Sequence, residues 1–208
     1  MRNTFFEDSI SEKSSDILIR CSNLTEESPI VNVNGYRLKQ IELNGINFTK
    51  SIMRYCSLRS STFHNANFKE ASLVGIYADK CNMTGSNFSK ATMHNAFLND
   101  SILVACNFRN AKLNGANFEN ANLSYADLRN AILNKTIFNN AILNNCKISI
   151  QHLDTFNLEL ISANSIAVYD EENNIMTMEQ LYEYYYNKHP VAMAFRQYSK
   201  TIGQTETL

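Results

Sequence analysis

From position 43 to position 148, every fifth residue of this chain is large and apolar: of these 22 sites, all but Ala78 are Leu, Phe, Met or Ile. A second series runs two places earlier. Between positions 51 and 146 it has 20 sites, of which 19 are Ala, Ser, Cys or Thr. The exception, Ile76, belongs to the same repeat as Ala78, so large and small have traded places there and the volume is kept. That trade is the mark of a shared interior. A period of five matches neither the 3.6 of an α-helix nor the 2 of a strand. Residues two apart point to the same side of an extended segment, and three polar positions then turn the chain. Each pentad is a short strand-like edge plus a corner, and the chain has to wind.

The phenylalanines at the large site set the number of sides. They stand at 48, 63, 68, 88, 108, 118 and 138. Four pairs of them are 20 apart, one pair is 15 apart and one is 25 apart. Four pentads per coil is the better reading, giving a square prism. Phe48, Phe68, Phe88 and Phe108 then stack as a ladder on one inner face, continued by Leu128 and Ile148. Coils should rise by about 4.8 Å, the spacing of paired strands.

The run "AKLNGANFENANLSYADLRNAILN" resembles the pentapeptide-repeat family, whose repeat is A(D/N)LXX. The resemblance covers about residues 31–163 and implies that the winding is right-handed. The fold expected is an all-β solenoid: a right-handed quadrilateral β-helix of about six coils with a short α-helical C-terminal tail. Residues 1–30 are read as an N-terminal segment and cap, 31–163 as the β-helix, and 164–208 as a hairpin and helical cap or dimerisation element. "IAVYDEENNIMTMEQ" suits a hairpin, and Thr177 with Gln180 reads as a capping box opening the helix "MEQLYEYYYNKH". Pro190 stops that helix, and "VAMAFRQYSKTIG" reads as a second one.

Composition bounds the rest. Of 208 residues, 44% are hydrophobic and the formal net charge is -1, which excludes disorder. No run approaches the roughly 20 apolar residues of a spanning helix. The start lacks the apolar stretch of a Sec-type signal peptide, so a cytoplasmic location is expected, with delivery into a host cell by another route as the alternative. The five cysteines include no CxxC pair. Four of them (Cys56, Cys81, Cys106 and Cys146) fill the small inward site, where Cys acts as a small hydrophobe. His64 and His94 fall on opposite sides of the coil, and five of the six glycines share one corner position. No catalytic constellation, metal set or cofactor loop emerges, so the chain is read as a non-enzyme without a cofactor.

Charge and exposed apolar residues supply the candidate surfaces. Residues 31–150 hold 13 basic and 6 acidic side chains, whereas residues 1–30 and 151–208 are both acidic. Folding these onto a 20-residue coil places Lys50, Lys69, Lys90, Arg109 and Arg129 at one corner, with Asp79, Asp100 and Glu119 at the opposite one among Lys39, Arg59 and Lys80. Five cations in a row either solvate a corner or meet an anionic partner. An acidic protein face is the partner expected first, then nucleic acid or an anionic membrane. A candidate apolar interface comprises Tyr77, Phe97, Ile132, Ile137 and Ile142 on the rod, with Tyr182, Tyr185 and Tyr186 of the tail as docking groups or as contacts to another chain. A homodimer through the tail is a further expectation.

The function expected is a non-catalytic interaction scaffold. The resemblance implies two alternatives. Host-directed bacterial effectors of the HECT-like ubiquitin ligase type carry a similar β-helix before a helical module, and this chain would then be the partner-binding portion without the catalytic lobe. Gyrase-protecting members resemble it in length and coil count, and are understood to mimic DNA through a strongly negative rod. Here the rod has the opposite sign.

Overall fold

The structure, a computed structural model, describes residues 32–156 and 158–188. From Asn32 onward the chain winds with a fixed register: Asn32 bridges Ile52, Arg37 bridges Ser57, Glu42 bridges Thr62 and Asn47 bridges Asn67, all in parallel. Every such bridge up to Asp127 and Lys147 joins residues 20 apart. Four bridges per coil, five residues apart, make four sides.

The backbone hydrogen bonds of one pentad account for this geometry. The large inward residue donates to the next coil (Phe48 N–H to Asn67 O, 2.7 Å), and the outward residue there donates back (Asn67 N–H to Ile46 O, 2.8 Å). The second corner residue also donates upward (Lys50 N–H to Lys69 O, 2.8 Å), and the next small residue closes the turn (Ser51 N–H to Phe48 O, 3.0 Å). One donor is left over, the N–H of the first corner residue. Asparagine at the outward site takes it: Asn47 Oδ1 accepts from Thr49 N–H at 3.1 Å, and Asn67, Asn87, Asn107 and Asn117 repeat the arrangement. Asp127 does the same for Arg129. This Asx turn is the physical use of the Asp or Asn in the repeat.

Each turn ends on a residue in the left-handed region, as a type II turn requires. All positions divisible by five from Gly35 to Asn145 have positive φ, and only five of them are glycine. Tyr55, Lys80, Ala105 and Tyr125 hold φ between 56° and 63° there. Such residues pay roughly 1–2 kcal/mol each relative to a right-handed conformation, and the ladder has to overcome that.

The interior is a solid stack. Phe48, Phe68, Phe88 and Phe108 form the ladder, with ring centroids 5.4, 4.9 and 5.0 Å apart, and Phe118 stacks on Phe138 at 5.3 Å. Ile76 and Ala78 are both buried, so the exchange of sizes is accommodated inside. Beyond Ser51, whose hydroxyl donates to Phe48 O within its own turn, polar residues at the small site are satisfied by the backbone one coil below. Ser86 Oγ donates to Phe63 O at 2.6 Å, Ser101 Oγ to Ala78 O at 2.8 Å and Cys106 Sγ to Met83 O at 3.0 Å, always 23 residues back. Ser, Cys and Thr therefore substitute for Ala without an orphaned donor.

The winding ends at β1 (Lys147–Ser149), followed by a 3-10 helix (Ile150–Asp154) and α1 (Leu158–Ala163). This detour lays Leu153, Phe156, Ile161 and Ile166 over the end of the core, with Phe156 against Phe138 at 5.0 Å. The exposed sheet edge is thus covered. The chain returns as β2 (Ala167–Tyr169), pairing in parallel with β1 at the same 20-residue offset, Lys147 to Ala167. A turn through Asp170–Asn174 brings Ile175 back antiparallel to Tyr169. Thr177 and Gln180 then exchange N–H bonds (2.8 and 3.2 Å) at the start of α2 (Met178–Lys188). The expected N-terminal cap in 1–30, the stop at Pro190 and the second helix in "VAMAFRQYSKTIG" lie outside the described residues.

Candidate functional site: a basic corner

The corner that carries Lys50 is built from two columns. Thr49, Lys69, Ser89, Arg109 and Arg129 occupy its first position, and Lys50, Glu70, Lys90, Asn110 and Asn130 its second. Backbone bonds tie each level to the next: Lys50 N–H to Lys69 O at 2.8 Å, Lys90 N–H to Arg109 O at 2.9 Å and Asn110 N–H to Arg129 O at 3.1 Å. Lys50, Lys69 and Lys90 are exposed and Arg109 is half-buried. None of the four pairs with a carboxylate among the described residues. Their spacing of roughly one coil leaves them mutually repulsive by about 1 kcal/mol or less per pair in solvent.

Two residues alter the corner that the sequence suggests. Glu70 stands between Lys50 and Lys90 in their own column, exposed, and adds one negative charge to the ridge. Its position, 20 after Lys50, was readable from the register. Arg129 does not belong to the free ridge at all. Its guanidinium grips Asp127 (Nη2 to Oδ2 2.6 Å, Nε to Oδ1 2.9 Å), donates to Asn173 Oδ1 at 2.9 Å and lies over the Tyr169 ring at 4.3 Å. The hydrogen-bonded Asp127 raises its affinity for its proton further. Arg129 is the pin that holds the hairpin to the rod. The ridge therefore consists of Lys50, Lys69, Lys90 and Arg109.

The opposite corner is internally compensated. Arg59 Nε meets Asp79 at 2.7 Å, and Asn120 donates to Asp100 at 3.2 Å. The contrast between the two corners lies in the balance of charge: Lys39, Arg59 and Lys80 stand here with Asp79, Asp100 and Glu119, whereas the Lys50 corner sets five cations against Glu70 alone.

The apolar candidates divide in three. Tyr77 and Phe97 stack face to face, centroids 4.9 Å apart, on one face. Asn117 separates them from Ile137 in that column. Ile132, Ile137 and Ile142 lie on three different faces, each 40–45% exposed, so they form a belt around one coil and not a strip. Residues 189–208 lie outside the described residues, and no described residue of the tail covers the belt. The reason is that α2 packs through other residues: Leu181 is buried and Tyr184 lies against the core, while Tyr182 is exposed and Tyr185 half-buried. The side chain of Tyr186 lies outside the described residues.

Nucleophilic chemistry has no foothold in the rod. Burial pushes Cys56 and Cys81 up to about 11, and Cys106 and Cys146 up to about 12, far from the thiolate needed for attack. His152 is buried in the end cap, where Ser149 N–H donates to Nδ1 at 3.3 Å and Nε2 reaches Ala131 O at 2.9 Å. An imidazole that accepts at Nδ1 and donates at Nε2 is neutral, and its burial lowers its pKa. Among the described residues no cluster of His, Cys, Asp or Glu could hold a metal ion, and no helix is long and apolar enough to cross a membrane.

Comparison with known proteins agrees with the winding. The family model of pentapeptide repeats matches residues 41–77, 66–103 and 101–140, eight copies in all. A pentapeptide repeat protein of the cyanobacterium Cyanothece 51142 is 25% identical over 53% of this chain and 85% of its own, with a TM-score of 0.40. HetL of Nostoc sp. PCC 7120, involved in heterocyst differentiation regulation, is 23% identical over 58% of this chain, which spans 61% of HetL, at a TM-score of 0.39. Another pentapeptide repeat protein of Nostoc PCC 7120 is 23% identical over 49% of this chain and 84% of its own, at 0.42. No curated protein matches the chain.

Proposed function

The rod of this chain belongs to the pentapeptide-repeat family, whose fold is a right-handed four-sided β-helix, and we propose that it serves as a non-catalytic scaffold that presents its basic corner to a protein partner with an acidic surface. The observation that carries this reading is the contrast between corners. Among the described residues Lys50, Lys69, Lys90 and Arg109 stand without carboxylate partners, while Lys39, Arg59 and Lys80 opposite are balanced by Asp79, Asp100 and Glu119. The rod fixes the four cations in a row on a backbone that does not reorganise, so little ordering entropy is lost when a complementary surface docks. With Glu70 included the ridge keeps a net positive charge, and such unpaired surface charge steers encounter and adds specificity more than affinity. A DNA-mimic role calls for the opposite sign along the rod, and the ridge argues against it.

The test reverses the charge of the ridge. A Lys50→Glu, Lys69→Glu, Lys90→Glu, Arg109→Glu variant leaves Arg129 in place, so the hairpin stays pinned and circular dichroism should be unchanged. A protein captured by the wild type and lost by the variant supports the reading, provided that its binding weakens steeply with salt. Equal capture by both removes the ridge as a binding surface. Titration with duplex DNA and with anionic vesicles in the same buffer distinguishes a protein partner from the other two anionic surfaces.

A further inference from the structure

A second charged feature lies on a different face, near the start of the rod. The outward column there reads Arg37, Ser57, Tyr77 and Phe97. Serine is the smallest of these, and its place is a notch one coil tall between Arg37 and the Tyr77 ring. A cleft of about 400 Å³ opens over it, lined also by Lys39, Tyr55 and Arg59.

Each wall is held in place. Tyr77 is stacked on Phe97 at 4.9 Å and carries the Arg59 guanidinium over its ring at 5.0 Å. Tyr55 lies across the corner against Gly75, where an added Cβ would come within 2.6 Å of its ring, at a backbone φ of +62°. Glycine at 75 is what lets this aromatic ring form the side of the cleft.

The polar groups of the cleft are unspent. Arg37 and Lys39 are exposed and make no ion pair among the described residues. Asp79 engages Arg59 through Nε alone, leaving the two Nη groups for another acceptor. Ser57 is only 8% exposed, and its hydroxyl has no hydrogen-bond partner. An outward Asn or Asp caps the N–H two places on, as Asn107 does for Arg109. Ser57 does not do so. A buried hydroxyl without a partner costs free energy that an acceptor entering the notch would recover.

We propose that this cleft is a binding site for a small phosphate monoester carried on a planar organic group. The guanidinium forks of Arg37 and Arg59 and the Lys39 ammonium supply the charge-assisted donors a phosphate dianion requires, the Ser57 hydroxyl supplies the neutral one, and the ring of Tyr55 receives the planar part. The cleft is open to solvent on one side and has room for a small molecule.

The test is calorimetric titration of the full chain with phenyl phosphate, inorganic phosphate and adenosine monophosphate. The wild type should bind phenyl phosphate or the nucleotide with a Kd of about 1 mM or tighter, at least roughly tenfold tighter than inorganic phosphate. Which of the two is preferred identifies the planar group. Arg37→Gln, and separately Ser57→Tyr, which fills the notch from an outward position, should each weaken binding by roughly tenfold or more. The four-residue ridge variant should bind as the wild type does. Absence of binding by all three ligands, equal affinity for inorganic and organic phosphate, or equal loss in the ridge variant overturns the proposal. Circular dichroism of each variant establishes that the rod is intact.

Discussion

Replacing Phe88 with alanine tests whether the inner ladder stabilises the rod as its geometry implies. Phe88 is 1% exposed and sits between Phe68 at 4.9 Å and Phe108 at 5.0 Å, with interplanar angles of 3° and 6°. Truncating a buried phenylalanine costs about 3–5 kcal/mol through lost transfer free energy and the cavity left behind. The cavity cannot close here, because the backbone around it is fixed from both sides: Phe88 N–H bonds Asn107 O at 2.7 Å and Asn87 N–H bonds Ala66 O at 2.9 Å. Two stacked neighbours add about 0.5–1.5 kcal/mol each, which places the change at the upper end, about 5 kcal/mol. Phe63 is the control. It is fully buried, yet its one ring contact within the ladder is an edge approach to Phe68 at 5.9 Å, so Phe63→Ala should cost about 3 kcal/mol. Urea unfolding followed by circular dichroism measures both, and equal m values are required for the comparison. A Phe63→Ala loss as large as that of Phe88→Ala would refute the assignment of extra stability to the stacked column. A Phe88→Ala loss below about 2 kcal/mol would refute the rigid cavity.

Other outcomes follow from single contacts. Asn107→Ala leaves the Arg109 N–H without its Asx acceptor and should cost about 1 kcal/mol in urea unfolding, whereas Asn107→Asp should cost little. Arg129→Ala should free the hairpin, seen as faster proteolysis within Glu171–Asn174, and Arg129→Lys should fail to restore it because lysine lacks the planar fork that meets Asp127 and stacks on Tyr169. His152 has a folded-state pKa below its ordinary 6.5, so the unfolded chain binds more protons in acid; stability is fully present above about 6.5 and declines as pH falls below it. A His152→Gln variant should show a shallower decline between about pH 6.5 and 5. Mass spectrometry after iodoacetamide at pH 8 should find Cys56, Cys81, Cys106 and Cys146 unmodified in the native protein and labelled in urea, their thiols being held at about 11 to 12.

The inward half of the repeat was legible in the sequence and the outward half was not. Phe48, Phe68, Phe88 and Phe108 announce the coil length because an interior admits only certain volumes, and the same volume constraint exposes the Ile76 and Ala78 exchange. Corner conformation leaves a fainter trace: five glycines share the position, but lysine, tyrosine, alanine and glutamate also take it, since the ladder imposes it on whatever residue stands there. The ridge was found by counting cations, and counting cannot show that Arg129 is held by Asp127 and Tyr169, 40 residues apart in the chain from one another in the case of Tyr169 and Arg129. Glu70 was missed for a simpler reason, as carboxylates were placed only at the opposite corner. The Ile belt shows the limit of reading exposure from an outward position: Ile132, Ile137 and Ile142 share a coil but not a face. Ser57 was invisible because its meaning lies in its neighbours' size.

The register sets the unit in which a rod of this kind can change its length. A segment of five residues removed from the middle preserves every inward and outward assignment, since the pattern has that period. It does, however, turn everything downstream by one side: Phe118 would come to rest over Met93 in place of Leu98. Only a loss or gain of 20 restores the original azimuth. The bearing between the Lys50 corner and the C-terminal cap is therefore adjustable in quarter turns by small insertions and deletions that leave the interior chemistry untouched. Two surfaces on one rigid rod can in this way be aimed at each other or apart without a single change to the residues that form them.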